Sequence, residues 1–437
     1  MKLTRLFASA LAFASMTGAA GLARAAEIEF WYGNTGVVEQ AILESCAAFN
    51  AGQTRDKVNC IGQGNYEVAM QKAIAAYRAK KSPVLMQFFD AGTVDLMMSG
   101  AVEPVSTVLP AVNWKDYLGG ARSFYETAKG ELLSQPYNGS TLILYGNRDM
   151  LSKAGIDRLP TTYEALIEDA RKLKAAGIAC PFVTDGHPWR VLEQFAARHG
   201  VAIASRHNGY DGLDAVYTFN KGPVATHLQN LKTWRDEGLI RLGQDSKAGK
   251  YDAAYNTGEC AMMEGSTGGY GAAYKALGDK VMIALAPIYE GKSRHNTLIG
   301  GASIWIMKGH SAAEIDAAKA FLDFLRRDDQ QIEFAGKTGY LPMTGTALAA
   351  LKASGKASDP HYATAEIGVA SLDQPATEDS RGVRLGFYVQ FRDIFMKETQ
   401  KAFNGEKPMQ QALDDAAQQG NELLRRFEKT YSGVAMQ

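Results

Sequence analysis

Three short segments carry side chains suited to a polyol: Tyr32-Gly33-Asn34, Gly64-Asn65-Tyr66 and Asp90-Ala91-Gly92-Thr93. Aromatic faces cover C–H surface, while amides and a carboxylate bond hydroxyls. A fourth segment, Gly265-Ser266-Thr267-Gly268-Gly269-Tyr270-Gly271, follows an apolar strand at 260–263 and opens a helix near 272–277. Backbone N–H groups at such a start, reachable through glycine, suit a small phosphate or carboxylate. A plain glycine-rich turn is the other reading. No Gly-Lys-Ser/Thr follows, and the spacing is not G-x-G-x-x-G, so nothing points to a nucleotide. Asn138-Gly139-Ser140-Thr141 and Leu298-Ile299-Gly300-Gly301 each abut an apolar strand. If the chain crosses between lobes there, a hydroxyl at Ser140 and an amide at Gly301 face the cleft.

Marks of catalysis are scarce. Around Ser266 the G-x-S-x-G pattern fails, because Glu264 stands in the first glycine's place. The histidines (His187, His199, His207, His227, His295, His310 and His361) are scattered, with no H-E-x-x-H, so neither a metal nor a cofactor is expected. Nothing singles out a carboxylate pair among 47 acids. These features describe a binder better than an enzyme.

The elements that must position these residues alternate. Strands at 27–32, 57–61 and 84–89 are separated by helices at 37–49 and 67–80; in the second helix Met70, Ala73, Ile74 and Tyr77 fall on one face. This β-α-β-α-β order predicts an α/β fold with a parallel sheet. Ligands of such sheets bind beyond the carboxyl ends of the strands, where the polyol-suited segments fall. A second α/β set follows, with helices at 163–175, 188–199, 224–237 and 312–326 and strands at 260–263, 281–286 and 302–307. Two long helices, 392–403 and 408–429, close the chain. No linker or repeat interrupts it, which suggests lobes joined by several crossovers.

Composition agrees. The chain has 437 residues, 46% hydrophobic, with Lys+Arg and Asp+Glu both at 47, so it lacks the basic excess of a nucleic-acid binder. Residues 1–25 read as a cleaved secretory signal: Lys2 and Arg5, an uncharged apolar stretch from Leu6 to Leu22, then Ala23-Arg24-Ala25. Export permits disulfides. The cysteines Cys46, Cys60, Cys180 and Cys260 form no C-x-x-C pair; Cys46–Cys60 or Cys180–Cys260 bridges and buried thiols are both open.

Several blocks resemble one family. They are Gly64-Asn65-Tyr66-Glu67, Leu132-Leu133-Ser134-Gln135-Pro136, Ile299-Gly300-Gly301-Ala302-Ser303, Lys337-Thr338-Gly339-Tyr340-Leu341-Pro342, Arg384-Leu385-Gly386 and the closing 420–429. Together they resemble the periplasmic solute-binding proteins of ABC importers that carry sn-glycerol 3-phosphate, over essentially the whole exported chain. The resemblance implies a two-lobed periplasmic-binding-protein fold with a hinge of crossover segments and an interlobe cleft. The lobes would be 26–138 with 302–350, and 139–301 with 351–437. It implies a monomer working with a membrane permease and ATPase subunits. It places phosphate contacts on Ser140, Ser266, Gly301, Tyr340 and Arg392, and glycerol contacts on Tyr66 and Asp90, with Trp189 as an aromatic wall.

Three positions depart from the family pattern. Asp90 replaces a frequent glutamate, Glu264 a small neutral residue, and Gly186 a tryptophan. A glycine there is expected to open space beside the ligand for the head group of a glycerophosphodiester such as glycerophosphocholine. Two other functions share these sequence features: a sugar or oligosaccharide receptor, and a secreted phosphodiester hydrolase.

Overall fold

The computed structural model describes residues 26–127 and 129–433. The expected signal at 1–25 lies outside the described residues. Among those described, no helix is long and apolar enough to cross a membrane.

The first sheet begins as the sequence predicts. Strand β1 (Glu27–Tyr32) pairs in parallel with β2 (Lys57–Gly62) on one side and β3 (Leu85–Phe89) on the other. Helices Gly36–Ala51 and Tyr66–Arg78 make the crossovers. The second starts where the Asn65 side chain accepts the Val68 N–H at 2.9 Å, satisfying one of the free donors at a helix start. The sheet is not purely parallel, however. Beyond β3 lies β11 (Gly300–Met307), antiparallel to β3, to β4 (Val102–Glu103) and to β5 (Gln135–Ser140). Local periodicity could not show this, because β11 arrives about two hundred residues after β3. Phe30 packs on Phe321 and Trp305 on Tyr125, and Phe30, Trp305 and Phe321 are fully buried.

The second sheet runs in the order β10-β6-β9-β7-β8. These strands are β6 (Leu142–Asn147), β7 (Phe182–Thr184), β8 (Ile240–Leu242), β9 (Met262–Ser266) and β10 (Val281–Leu285). Disulfide Cys180–Cys260 ties the approaches to β7 and β9, and Cys46–Cys60 ties helix Gly36–Ala51 to β2. Both bridges left open by the sequence are therefore made. The long helices Tyr388–Phe403 and Met409–Thr430 pack together, and the first starts one turn earlier than periodicity suggested.

One residue, Thr141, separates β5 in the first sheet from β6 in the second. Its hydroxyl donates to Thr297 Oγ1 at 2.6 Å, and Thr297 contacts Ser371 Oγ at 2.8 Å. Leu341 N–H donates to the Gly139 carbonyl at 2.9 Å. The strand pair β5–β11 thus leaves the first sheet bound to the segments that lead into the second. The polar side chains between them are buried and mutually satisfied.

Candidate functional site

A cavity of about 240 Å³ lies at this junction. Tyr66, Asp90, Ser140, Trp189, Ser266, Gly301, Tyr340 and Arg392 all line it. Each of the eight residues singled out in the sequence is on its wall, joined by Glu67, Phe89, His187 and Arg190.

Tyr66 opens its helix, and its ring stacks on Phe89 with centroids 5.4 Å apart and planes 4° from parallel. Its hydroxyl accepts from Asn138 Nδ2 at 2.7 Å and Asn34 Nδ2 at 3.2 Å. Gln87 Nε2 in turn donates to the side-chain oxygens of Asn34 (2.8 Å) and Asn138 (2.9 Å). An amide network, buried at Gln87 and Asn138, therefore fixes the phenol, and Asn34 works one layer behind the wall.

Two glycines make room for the aromatic walls. A Cβ on Gly300 would lie 2.6 Å from the Trp189 ring, and one on Gly268 would lie 2.7 Å from the Tyr340 ring. At Gly301 φ is +101°, and a Cβ would meet the Asn138 carbonyl at 2.1 Å, so only glycine fits. Ser266 closes β9; its Oγ accepts the Gly268 N–H at 3.1 Å and keeps its own proton to donate. The Gly265–Gly271 segment is thus a capped 3₁₀ turn, Thr267–Gly269, leading into helix Tyr270–Leu277.

Arg392 is buried on helix Tyr388–Phe403. Its Nε and Nη2 donate to both Glu193 oxygens, at 2.8 and 2.6 Å, and Nη2 also reaches Asp90 Oδ1 at 3.1 Å. Burial would lower the Arg392 pKa, but the Glu193 and Asp90 charges more than offset it, so the guanidinium stays charged. Asp90 is pushed up to about 6 by burial, which the Arg392 charge only partly opposes and Glu193 reinforces. Glu193 was not anticipated; it sits inside an apolar run that reads as core. The helix expected over 188–199 is instead a π-helical stretch, Trp189–Gln194, followed by Phe195–Arg198. Such stretches gather at functional sites.

Two of the sequence departures lie elsewhere. Gly186, at φ +68°, is absent from the cavity wall and lines a separate groove with Met396 and Phe403. The space it was expected to open beside the ligand is not there. Glu264 is buried away from the cavity, accepting from Arg198 Nη2 at 2.8 Å and from the Tyr163 hydroxyl at 3.0 Å. Among the described residues no group of three His, Cys, Asp or Glu is placed to hold a metal.

The fold is two-lobed, with a cavity between its sheets. Residues 44–364 match the family model described as bacterial extracellular solute-binding protein, and the chain belongs to that family. It is 34% identical to the sn-glycerol-3-phosphate-binding periplasmic protein UgpB of Pectobacterium atrosepticum, over 98% of this chain and 97% of the relative. Identity is also 34% with the UgpB protein of Escherichia coli K12, over 92% and 93% of the two chains. Among solved structures, the GacH receptor of Streptomyces glaucescens superposes with a TM-score of 0.76 at 16% identity, over 92% of this chain and 99% of that one. UgpB of Mycobacterium tuberculosis in complex with glycerophosphocholine gives 0.75 at 19%, with the same coverage.

Proposed function

We propose that this protein is the periplasmic substrate-binding component of an ABC importer, carrying sn-glycerol 3-phosphate and glycerophosphodiesters such as glycerophosphocholine. The observation that carries the reading is the meeting of two serine hydroxyls, a tyrosine hydroxyl, a glycine main chain and a buried guanidinium in one small cavity with a carboxylate. Neutral donors plus a fixed cation suit phosphate oxygens, and the fork of arginine suits them best. In this reading Ser140, Ser266, Gly301, Tyr340 and Arg392 hold the phosphate. Tyr66 and Asp90 hold the glycerol hydroxyls, and Trp189 covers the C–H face. The 34%-identical relatives named for sn-glycerol 3-phosphate support it.

In this reading the lobes run over 26–138 with 302–350 and over 139–301 with 351–437, the residues 139–140 and 300–301 at the crossovers still pairing within the first sheet, behind a signal at 1–25 that directs export. Because the wall draws on both sheets, a ligand that bridges them binds the closed form better and shifts the population toward it. The permease and ATPase subunits would read that closed form, and the protein would act as a monomeric binder without catalysis.

A sugar or oligosaccharide receptor is the second reading, favoured by the stacked Tyr66–Phe89 pair and Trp189. Calorimetric titration separates the two. Glycerol 3-phosphate or glycerophosphocholine should bind in the micromolar range, worth about −8 kcal/mol, and maltose should not. Binding of maltose with no response to either phosphate compound would overturn the proposal. Release of choline from glycerophosphocholine would instead indicate a hydrolase.

A further inference from the structure

The expected phosphate contacts include a single cation, Arg392, and two carboxylates already hold its Nε and Nη2. A second guanidinium lines the same cavity: that of Arg190, the residue after Trp189. It is 7% exposed. Its Nε donates to Asp185 Oδ1 at 2.7 Å and its Nη2 to Asp185 Oδ2. The Tyr251 ring lies under it, 4.2 Å from the guanidinium carbon, and the Tyr251 hydroxyl accepts from Nη1 at 3.3 Å. Arg190 lines the cavity and Asp185 does not.

His187, between them in sequence, also lines the cavity. Its Nδ1 accepts the Trp189 backbone N–H at 3.1 Å, which leaves the ring proton on Nε2. That Nε2–H has no partner among the described residues. Burial, and then the Arg190 charge, hold the imidazole down at about 3, so it stays a neutral donor at physiological pH.

The two sides of the wall therefore differ in chemistry, apart from Arg392, which pairs with Asp90. Asp90 and Glu67 come from the first-sheet side, where they would meet hydroxyls. Arg190 and His187 come from the segment that follows β7 in the second sheet.

We propose that Arg190 and His187 form a second donor set for the anionic group of the ligand, with Asp185 and Tyr251 as the positioning residues that hold Arg190. This deepens the phosphate reading and rests on it. A cation fixed by a carboxylate and by a ring on its face is already ordered before the ligand arrives, so little entropy is lost on binding.

The test is calorimetric titration of glycerol 3-phosphate into wild type, Arg190→Met, Arg190→Lys, His187→Phe and His187→Gln, each checked for folding by circular dichroism. Removing a charge-assisted contact should weaken binding about 30-fold in Arg190→Met. Arg190→Lys, which keeps the charge but loses the fork, should fall in between, and it carries the test if the methionine variant does not fold. His187→Phe should lose about tenfold, and His187→Gln, whose amide retains an N–H donor, should recover most of that. Wild-type binding matched within about twofold by both Arg190 variants overturns this inference and leaves the phosphate reading standing. Failure of wild type to bind any phosphate compound overturns both.

Discussion

Arg392 and Glu193 lie 199 residues apart, yet they meet in a two-pronged ion pair with N···O distances of 2.8 and 2.6 Å. Both are more than nine-tenths buried. Glu193 sits behind the cavity wall and Arg392 on it, so the carboxylate aims the guanidinium. Asp90 takes the remaining contact from the wall itself. In the proposed phosphate reading the pair fixes where the anion is held, and Asp90 is the partner that polyol hydroxyls share.

Neutralising Glu193 should test that aim. Glu193→Gln keeps the shape and removes one charge of a buried pair, so stability should fall by about 3 kcal/mol. Affinity for glycerol 3-phosphate should fall by tenfold or more, because Arg392 can then rotate toward Asp90. Thermal unfolding and calorimetry together check this; unchanged affinity would show that Glu193 does not orient the site.

Gly300 permits the Trp189 wall. In Gly300→Ala the added methyl would lie 2.6 Å from the indole ring, and the ring must move. Overpacking of this kind costs about 1–3 kcal/mol. Ligand affinity should fall, and the fluorescence of Trp189 should change before any ligand is added. An unaltered spectrum and affinity would mean that the ring does not rest there.

Asp95, on the helix Thr93–Ser99, accepts the Phe387 N–H at 3.0 Å where helix Tyr388–Phe403 begins. Burial pushes its carboxyl up to about 6, which that hydrogen bond only partly opposes. A folded-state value above the unfolded one favours folding fully in acid, and the benefit is lost as pH rises through 6. Asp95→Asn retains an acceptor without the charge. Its folding stability should match wild type near pH 4 and exceed it increasingly up to pH 7, by at most about 3 kcal/mol, with the thermal midpoint rising in the same order. A constant difference across that range would contradict the prediction.

The two disulfides close loops of different length, with sequence separations of 14 and 80. The loop-entropy relation gives about 3 kcal/mol for the shorter and about 4–5 kcal/mol for the longer. Serine pairs at Cys180 and Cys260 should therefore lower the melting midpoint more than serine pairs at Cys46 and Cys60. The reverse order would place the stabilisation in native packing rather than in the unfolded chain.

Much of this was legible in the sequence, for local reasons. Short apolar runs located β1, β2 and β3, helical patterns located the helices between them, and the strand ends supplied Tyr66 and Asp90. Ser140, Ser266 and Gly301 showed themselves as small polar or glycine residues beside apolar strands. Arg392, Trp189 and Tyr340 came only through family resemblance, because a single arginine or aromatic in a helical stripe reads as surface or core. The antiparallel β11 and the Glu193 partner depend on contacts across most of the chain. Arg190 was visible as an arginine five residues after Asp185, but that spacing is no helical neighbour relation. Gly186 misled because a missing side chain opens space only where its neighbours leave it open, and here it faces another groove.

The most direct measurement compares Arg392→Ala with wild type for two ligands, glycerol 3-phosphate and glycerol, by calorimetry. Loss of a buried, charge-assisted contact should weaken the phosphate compound by about 100-fold and change glycerol by less than about threefold. Equal losses for both ligands would mean that this guanidinium does not hold the phosphate.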